Sequence, residues 1–139
     1  MLLRIAAATT ALGLASGCAD DPRLTCVTVD LTCAPLYAPT WDNLMTTTIT
    51  PKCAAAGCHT TAAAQGGLVL DDDATAYAAL SAYVVAGDVA CSPLTERVFA
   101  TAPSLVMPRG APLSPAEACA VAQWVAAGAP GPVAAGGGQ

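Results

Sequence analysis

Basic residues are scarce. Five lysines and arginines stand against ten acidic residues in 139, too few and too scattered for the clustered positive face that binds nucleic acid. Histidine occurs once, at His59, so no chemistry that needs two imidazoles fits within one chain. Aromatics are few as well: Trp41, Trp124, Tyr37, Tyr77, Tyr83 and Phe99. A small chain with so few large side chains builds a thin core, and such chains lean on disulfides or a bound group. Long apolar runs are missing after the first seventeen residues, and the run from Ile5 to Ala15 falls short of the roughly 20 residues that span a bilayer. No glycine loop has the phosphate-cradling pattern; Gly136-Gly137-Gly138 belongs to a tail.

What is present starts with an export pattern. Arg4 supplies positive charge, Ile5 to Ala15 the apolar stretch, and Leu14-Ala15-Ser16-Gly17-Cys18 resembles a bacterial lipoprotein box. That resemblance implies cleavage before Cys18, lipidation of its thiol and anchoring to a membrane. The other reading is an ordinary signal peptide with a coincidental cysteine. Losing Arg4 leaves Arg23, Lys52, Arg97 and Arg109 as the basic side chains. The chain divides into a signal segment (1–17), a polar, proline-bearing tether (18–37), one domain (38–130) and a disordered tail (131–139).

The seven cysteines are Cys18, Cys26, Cys33, Cys53, Cys58, Cys91 and Cys119. Export places them in an oxidising compartment. With Cys18 given to lipid and Cys53 and Cys58 set aside, four remain, and the preferred pairing is Cys26–Cys33 with Cys91–Cys119, one of three arrangements open to four cysteines.

The elements expected from periodicity and capping are mostly helical. Thr40 caps a first helix whose stripe is Trp41, Leu44, Met45, Thr48 and Ile49, and Pro51 stops it. Gly66-Gly67 turns the chain, and Leu68 to Leu70 is extended. Asp71, Asp72 and Asp73 offer caps for a helix over 74–81 with Tyr77 and Leu80 inward; an EF-hand lacks its alternating ligands here. Val84-Val85 is extended. Ser92-Pro93 starts a short helix with Leu94 and Val98 inward. A Pro/Gly-rich loop from 103 to 112 carries Met107-Pro108-Arg109-Gly110. Ser114-Pro115-Ala116-Glu117 is a capping box opening a last helix with Ala118, Val121, Ala122 and Val125 inward, closed by Gly128.

The chemistry concentrates in Cys53-Ala54-Ala55-Ala56-Gly57-Cys58-His59. Cys-x-x-Cys-His is the attachment signature of c-type haem; here four residues separate the cysteines. On that reading each thiol adds across a haem vinyl group and His59 becomes the proximal iron ligand. A distal ligand would be Met107, held in a loop stiffened by Pro108, with core filling as its other role; Met45, on the first helix, fills the core. Zinc would lack a fourth ligand beyond Cys53, Cys58 and His59. A Cys/His protease needs its imidazole elsewhere in sequence, and a redox dithiol needs other spacing.

The order of these pieces resembles single-haem cytochrome c, and more closely the small cytochrome-c-like domains of exported myxobacterial and planctomycete lipoproteins. The resemblance rests on Lys52-Cys53 through Cys58-His59, Gly67 to Asp71 with Tyr77, Gly87-Asp88, Arg97-Val98, Met107-Pro108, Leu113-Ser114 with Glu117, and Trp124-Val125. It covers about residues 38–130. It implies a mostly α cytochrome-c-like domain with one covalent haem c on Cys53 and Cys58, His59 and Met107 as axial ligands, and one-electron transfer in the periplasm or at the cell surface. It implies an electron carrier, not an enzyme, working with a redox partner protein that the sequence does not name. The alternatives are a haem-free structural or interaction lipoprotein stapled by a Cys53–Cys58 disulfide, and a haem sensor with a labile Met107.

Overall fold

The computed structural model describes residues 24–133; the signal segment, Cys18 and Arg23, and the end of the tail from 134 onward lie outside them. Among the described residues the regular structure is all helical. Helix α1 is Trp41–Leu44 and runs on as a π-helical segment, Met45–Cys53; α2 is Asp73–Ser81, α3 Pro93–Val98 and α4 Pro115–Ala126. A single 3₁₀ turn covers Gln65–Gly67. None of these helices is long and apolar enough to cross a membrane. The stretches read as extended, Leu68 to Leu70 and Val84-Val85, form no strands.

The caps explain where three helices start. The Thr40 hydroxyl accepts from the Asn43 amide, the Asp72 carboxylate accepts from Ala74, and Ser114 and Glu117 form the reciprocal capping box of α4. Each such cap satisfies amide groups that the first turn leaves unpaired. Two expectations about helix ends are corrected. Pro51 does not stop the first helix, which continues to Cys53. The Ala54 amide reaches back five residues to the Ile49 carbonyl at 2.8 Å. This wider turn moves the preceding carbonyls away from a proline ring that would strike them in a regular α-helix. Ser92 precedes α3 but caps nothing. It is buried, accepts from the Val85 amide and donates to the Asp88 carbonyl, so it fastens the 85–92 turn instead.

The core gathers α1, the π segment, α2 and α4. Leu44, Ile49, Leu70, Leu80, Val121, Trp124 and Val125 are essentially inaccessible, and Met45 lies among them as filler. Trp41 stands at the centre. Its ring meets Tyr77 edge-on at 5.1 Å and lies 5.8 Å from the ring of Trp124. Each such aromatic pair adds about 0.5–1.5 kcal/mol beyond the area it buries. Their polar ends are satisfied by the chain after α4: the Trp124 indole donates to the Pro130 carbonyl and the Tyr77 hydroxyl to that of Ala129.

Helix α4 is buried on more sides than one apolar stripe requires, Glu117 through Ala122 together with Trp124 and Val125. The segment 24–37, expected as a tether, covers its second side. It is a strap held by Cys26–Cys91 and Cys33–Cys119. The Val27 and Leu36 amides donate to the Ala90 and Ala116 carbonyls, and the Gln123 amide donates to the Leu31 and Cys33 carbonyls. The pairing preferred from sequence is therefore wrong: each strap cysteine bonds to the body, not to its neighbour. The long-range bonds close loops of 65 and 86 residues, and longer loops restrict the unfolded chain more.

Candidate haem-attachment site

The π segment ends on Cys53, so the first thiol is fixed by the helix and packs against the core. The chain then turns. The Cys58 amide donates to the Ala55 carbonyl at 2.9 Å, and the His59 amide donates to the Cys53 carbonyl at 3.1 Å. Gly57 takes φ +82, a left-handed conformation that L side chains rarely adopt. The four intervening residues are thus folded into a turn whose ends are hydrogen-bonded through the backbones of Cys53 and His59.

A second tier holds the turn in place. The Gln65 amide donates to the Cys58 carbonyl, and the Leu70 amide to the His59 carbonyl. The Asp71 carboxylate accepts from both the amide and the hydroxyl of Thr61 at 2.9 Å. Those donors, the Thr61 amide foremost, hold its carboxyl below the ordinary value. Of the three aspartates that offer caps, Asp72 takes the role, leaving Asp71 for the loop.

The imidazole itself is oriented. His59 Nδ1 lies 2.9 Å from the Gln65 carbonyl oxygen. A carbonyl only accepts, so Nδ1 carries the proton, and in the neutral ring the lone pair is then on Nε2. This is how metal-binding histidines are commonly held, with one nitrogen donating to a backbone oxygen and the other facing the metal.

The thiols tell the same story by elimination. The other four cysteines of the described chain are in disulfides; Cys53 and Cys58 alone are free. The disulfide between them that a haem-free reading expected is absent. Burial, with the Cys58 sulfur adding to it, pushes the Cys53 thiol up to about 11. It is protonated at neutral pH, unlike the activated thiolate of a cysteine nucleophile. Among the described residues no three His, Cys, Asp or Glu side chains converge as a metal cluster.

Met107 is carried on a separate segment. It is half-buried, its amide donates to the Arg97 carbonyl at 3.0 Å, and Arg97 in turn donates to the Leu105 carbonyl. The loop is thus pinned to α3 and has no hydrogen bond to the cysteine turn. Two surface clefts, about 400 Å³ beside Phe99 and Glu96 and about 320 Å³ beside Trp41 and Asp73, are not lined by the motif. The Cys53, Cys58 and His59 side chains are intermediate in burial, Cys53 packing against the core.

Two contacts beside Cys53 were not foreseen. Lys52 meets Glu117 at 2.6 Å, although 65 residues separate them. Tyr37, from the strap, shares a hydrogen bond with the buried Thr48 hydroxyl. The capping box marked Glu117 as a local residue; nothing in the sequence marked its distant partner.

Residues 56–110 match the family described as Planctomycete cytochrome C, a stretch that includes Cys58, His59 and Met107. The match supports a cytochrome-c-like domain in this chain. No curated protein and no solved structure matches it.

Proposed function

We propose that this chain is an exported, lipid-anchored c-type cytochrome that carries single electrons in the bacterial cell envelope. The observation that carries the reading is the turn itself. The only free thiols of the described residues precede the single histidine in one hydrogen-bonded turn, and that imidazole has Nδ1 engaged by the Gln65 carbonyl. The donor types, two thiols and an imidazole in one turn, are those that haem c takes. Cys53 and Cys58 would hold it through thioethers, His59 Nε2 would be the proximal ligand, and Met107 the distal one. When bound, haem supplies an iron that gains and loses one electron, and a thioether sulfur opposite a histidine favours its reduced state.

The chain's own residues then have distinct tasks. The π segment fixes Cys53, Gln65 sets the tautomer of His59, and Thr61 with Asp71 braces the loop. Arg97 holds the Met107 segment against α3. Cys18 would carry the lipid, and the redox partner would be a soluble or membrane-bound protein of the same compartment.

The test is the pyridine haemochrome spectrum of protein exported together with cytochrome maturation factors, taken after acid-acetone extraction. Haem that survives extraction in the intact chain, and is lost in Cys53→Ala/Cys58→Ala, is the expected result. An intact chain without haem would overturn the proposal.

A further inference from the structure

The cleft beside α3 is not lined by the cysteine turn and has its own construction. One wall is the strap. Leu24 and Val27 line it, fixed by the Cys26–Cys91 bond and by the Val27 amide, which donates to the Ala90 carbonyl at 2.8 Å. The other wall is α3 and the chain after it, with Glu96, Phe99 and Leu105. The Leu105 amide donates to the Ala102 carbonyl at 2.9 Å and holds that wall in a turn. The volume of about 400 Å³ falls within the range of small-molecule sites, roughly 300–1,000 Å³.

Glu96 is the unusual member. It is 9% exposed, yet among the described residues no lysine or arginine pairs with its carboxylate. Lys52 is engaged by Glu117, Arg97 donates to the Leu105 carbonyl and Arg109 to that of Ser104. An enclosed carboxylate without a donor costs free energy, which a cationic partner would offset. A single carboxylate is a weak ligand set for a divalent metal, and among the described residues no three His, Cys, Asp or Glu side chains converge on one. Apolar side chains around one anionic group suit a cation that carries its own apolar body. The net charge of −5 also draws cations towards the protein.

We propose that this cleft binds a small organic cation, an alkylammonium, with Glu96 as its anionic anchor and Leu24, Val27, Phe99 and Leu105 around its apolar part. The site goes beyond the cytochrome reading and does not depend on it.

The experiment is an NMR titration of the exported, isotope-labelled full chain at fixed ionic strength. The probes are n-butylammonium and n-butanol, which has nearly the same shape and no charge. Expected are saturable amide shifts at Val27, Glu96 and Leu105 with n-butylammonium. Binding of n-butanol should be about tenfold or more weaker, the step for losing a charge-assisted hydrogen bond. Glu96→Gln should weaken n-butylammonium binding by a similar factor. Should that variant not fold, which circular dichroism reports, the comparison of the two probes on the parent decides by itself. No saturable shift at these amides, or equal affinity for the two probes, overturns the proposal. Arg23 precedes Leu24 and lies outside the described residues. Saturation that appears only in Arg23→Gln also overturns the proposal, because the chain's own guanidinium is then the occupant. Each of these outcomes leaves the haem reading to the haemochrome spectrum.

Discussion

The two disulfides are interlocked, and that sets what removing one of them does. Taken alone, Cys33–Cys119 closes a loop of 86 residues, and the chain-entropy relation gives about 4.6 kcal/mol for a loop of that length. With Cys26–Cys91 already formed, the unfolded chain offers a shorter path between Cys33 and Cys119. It runs roughly seven residues back along the strap, across the other bond, and roughly 28 residues on from Cys91, for which the same relation gives about 3.8 kcal/mol. Cys33→Ala/Cys119→Ala should therefore cost about 3.8 kcal/mol as an upper figure, and losing both bonds about 8 kcal/mol. Domains of this size have only about 5–15 kcal/mol in total. The single deletion leaves a weakened fold and the double deletion an unfolded or barely folded one. Replacing both partners avoids a stray thiol that would compete with Cys53 and Cys58. The assay is urea unfolding of exported protein followed by tryptophan fluorescence, since Trp41 and Trp124 are both in the core. A loss below about 1 kcal/mol in the single deletion would refute the strap as a constraint on this domain. A reducing and non-reducing peptide map that pairs Cys26 with Cys33 would refute its connectivity.

Three further outcomes follow from the site. On the haem reading, Met107→Ala should abolish the sulfur-to-iron band at the red end of the spectrum while leaving the attached haem in place; a persisting band would assign the distal position to another residue. Burial opposes ionisation of Glu117, but Lys52 and Ser114 outweigh it and hold its carboxyl below the ordinary value of 4.5. A lowered folded value adds stability that is present above 4.5 and lost as the pH falls through that folded value, so the gap in melting temperature between the parent and Glu117→Gln should narrow from pH 6 to about pH 3; a constant gap contradicts the pairing. In haem-free Cys58→Ala, alkylation of Cys53 should be slow at pH 7 and rise about tenfold per pH unit towards pH 10, and a fast, flat profile contradicts its burial.

Legibility from the sequence tracked the range of each interaction. The capping residues Thr40, Asp72 and Ser114, the turn at Gly66-Gly67 and the inward faces of α2 and α4 depend on neighbours within four residues, and the sequence pattern displays such neighbours directly. Ser92 shows the limit of that logic, because Ser-Pro before a helix has the form of a cap, yet its hydroxyl serves the 85–92 turn. The strap was illegible for the opposite reason. Residues 24–37 have no periodicity, and their order comes from partners at Ala90, Ala116, Cys91 and Cys119. Proline at position 51 was read as a stop because the rule applies to a regular α-helix, and the π turn lies outside it.

The widened spacing between the cysteines is best understood from the helix that precedes it. In this chain Cys53 is not in the loop; it is the last residue of the π segment, and its carbonyl accepts from His59, six residues on. The extra length between the thiols is absorbed by a turn with its own closing bond from Cys58 to Ala55 and a left-handed glycine at its apex. The distance along the chain therefore overstates the separation of the ends, because Cys53 and His59 are hydrogen-bonded to each other whatever lies between them. The Gln65-to-Cys58 and Leu70-to-His59 bonds keep that turn from fraying. The imidazole is then oriented from the far side by Gln65, downstream of the cysteines altogether. What the proposed attachment would need from this segment is the closure of that turn and the orientation of the histidine, and here neither depends on having two residues between the thiols.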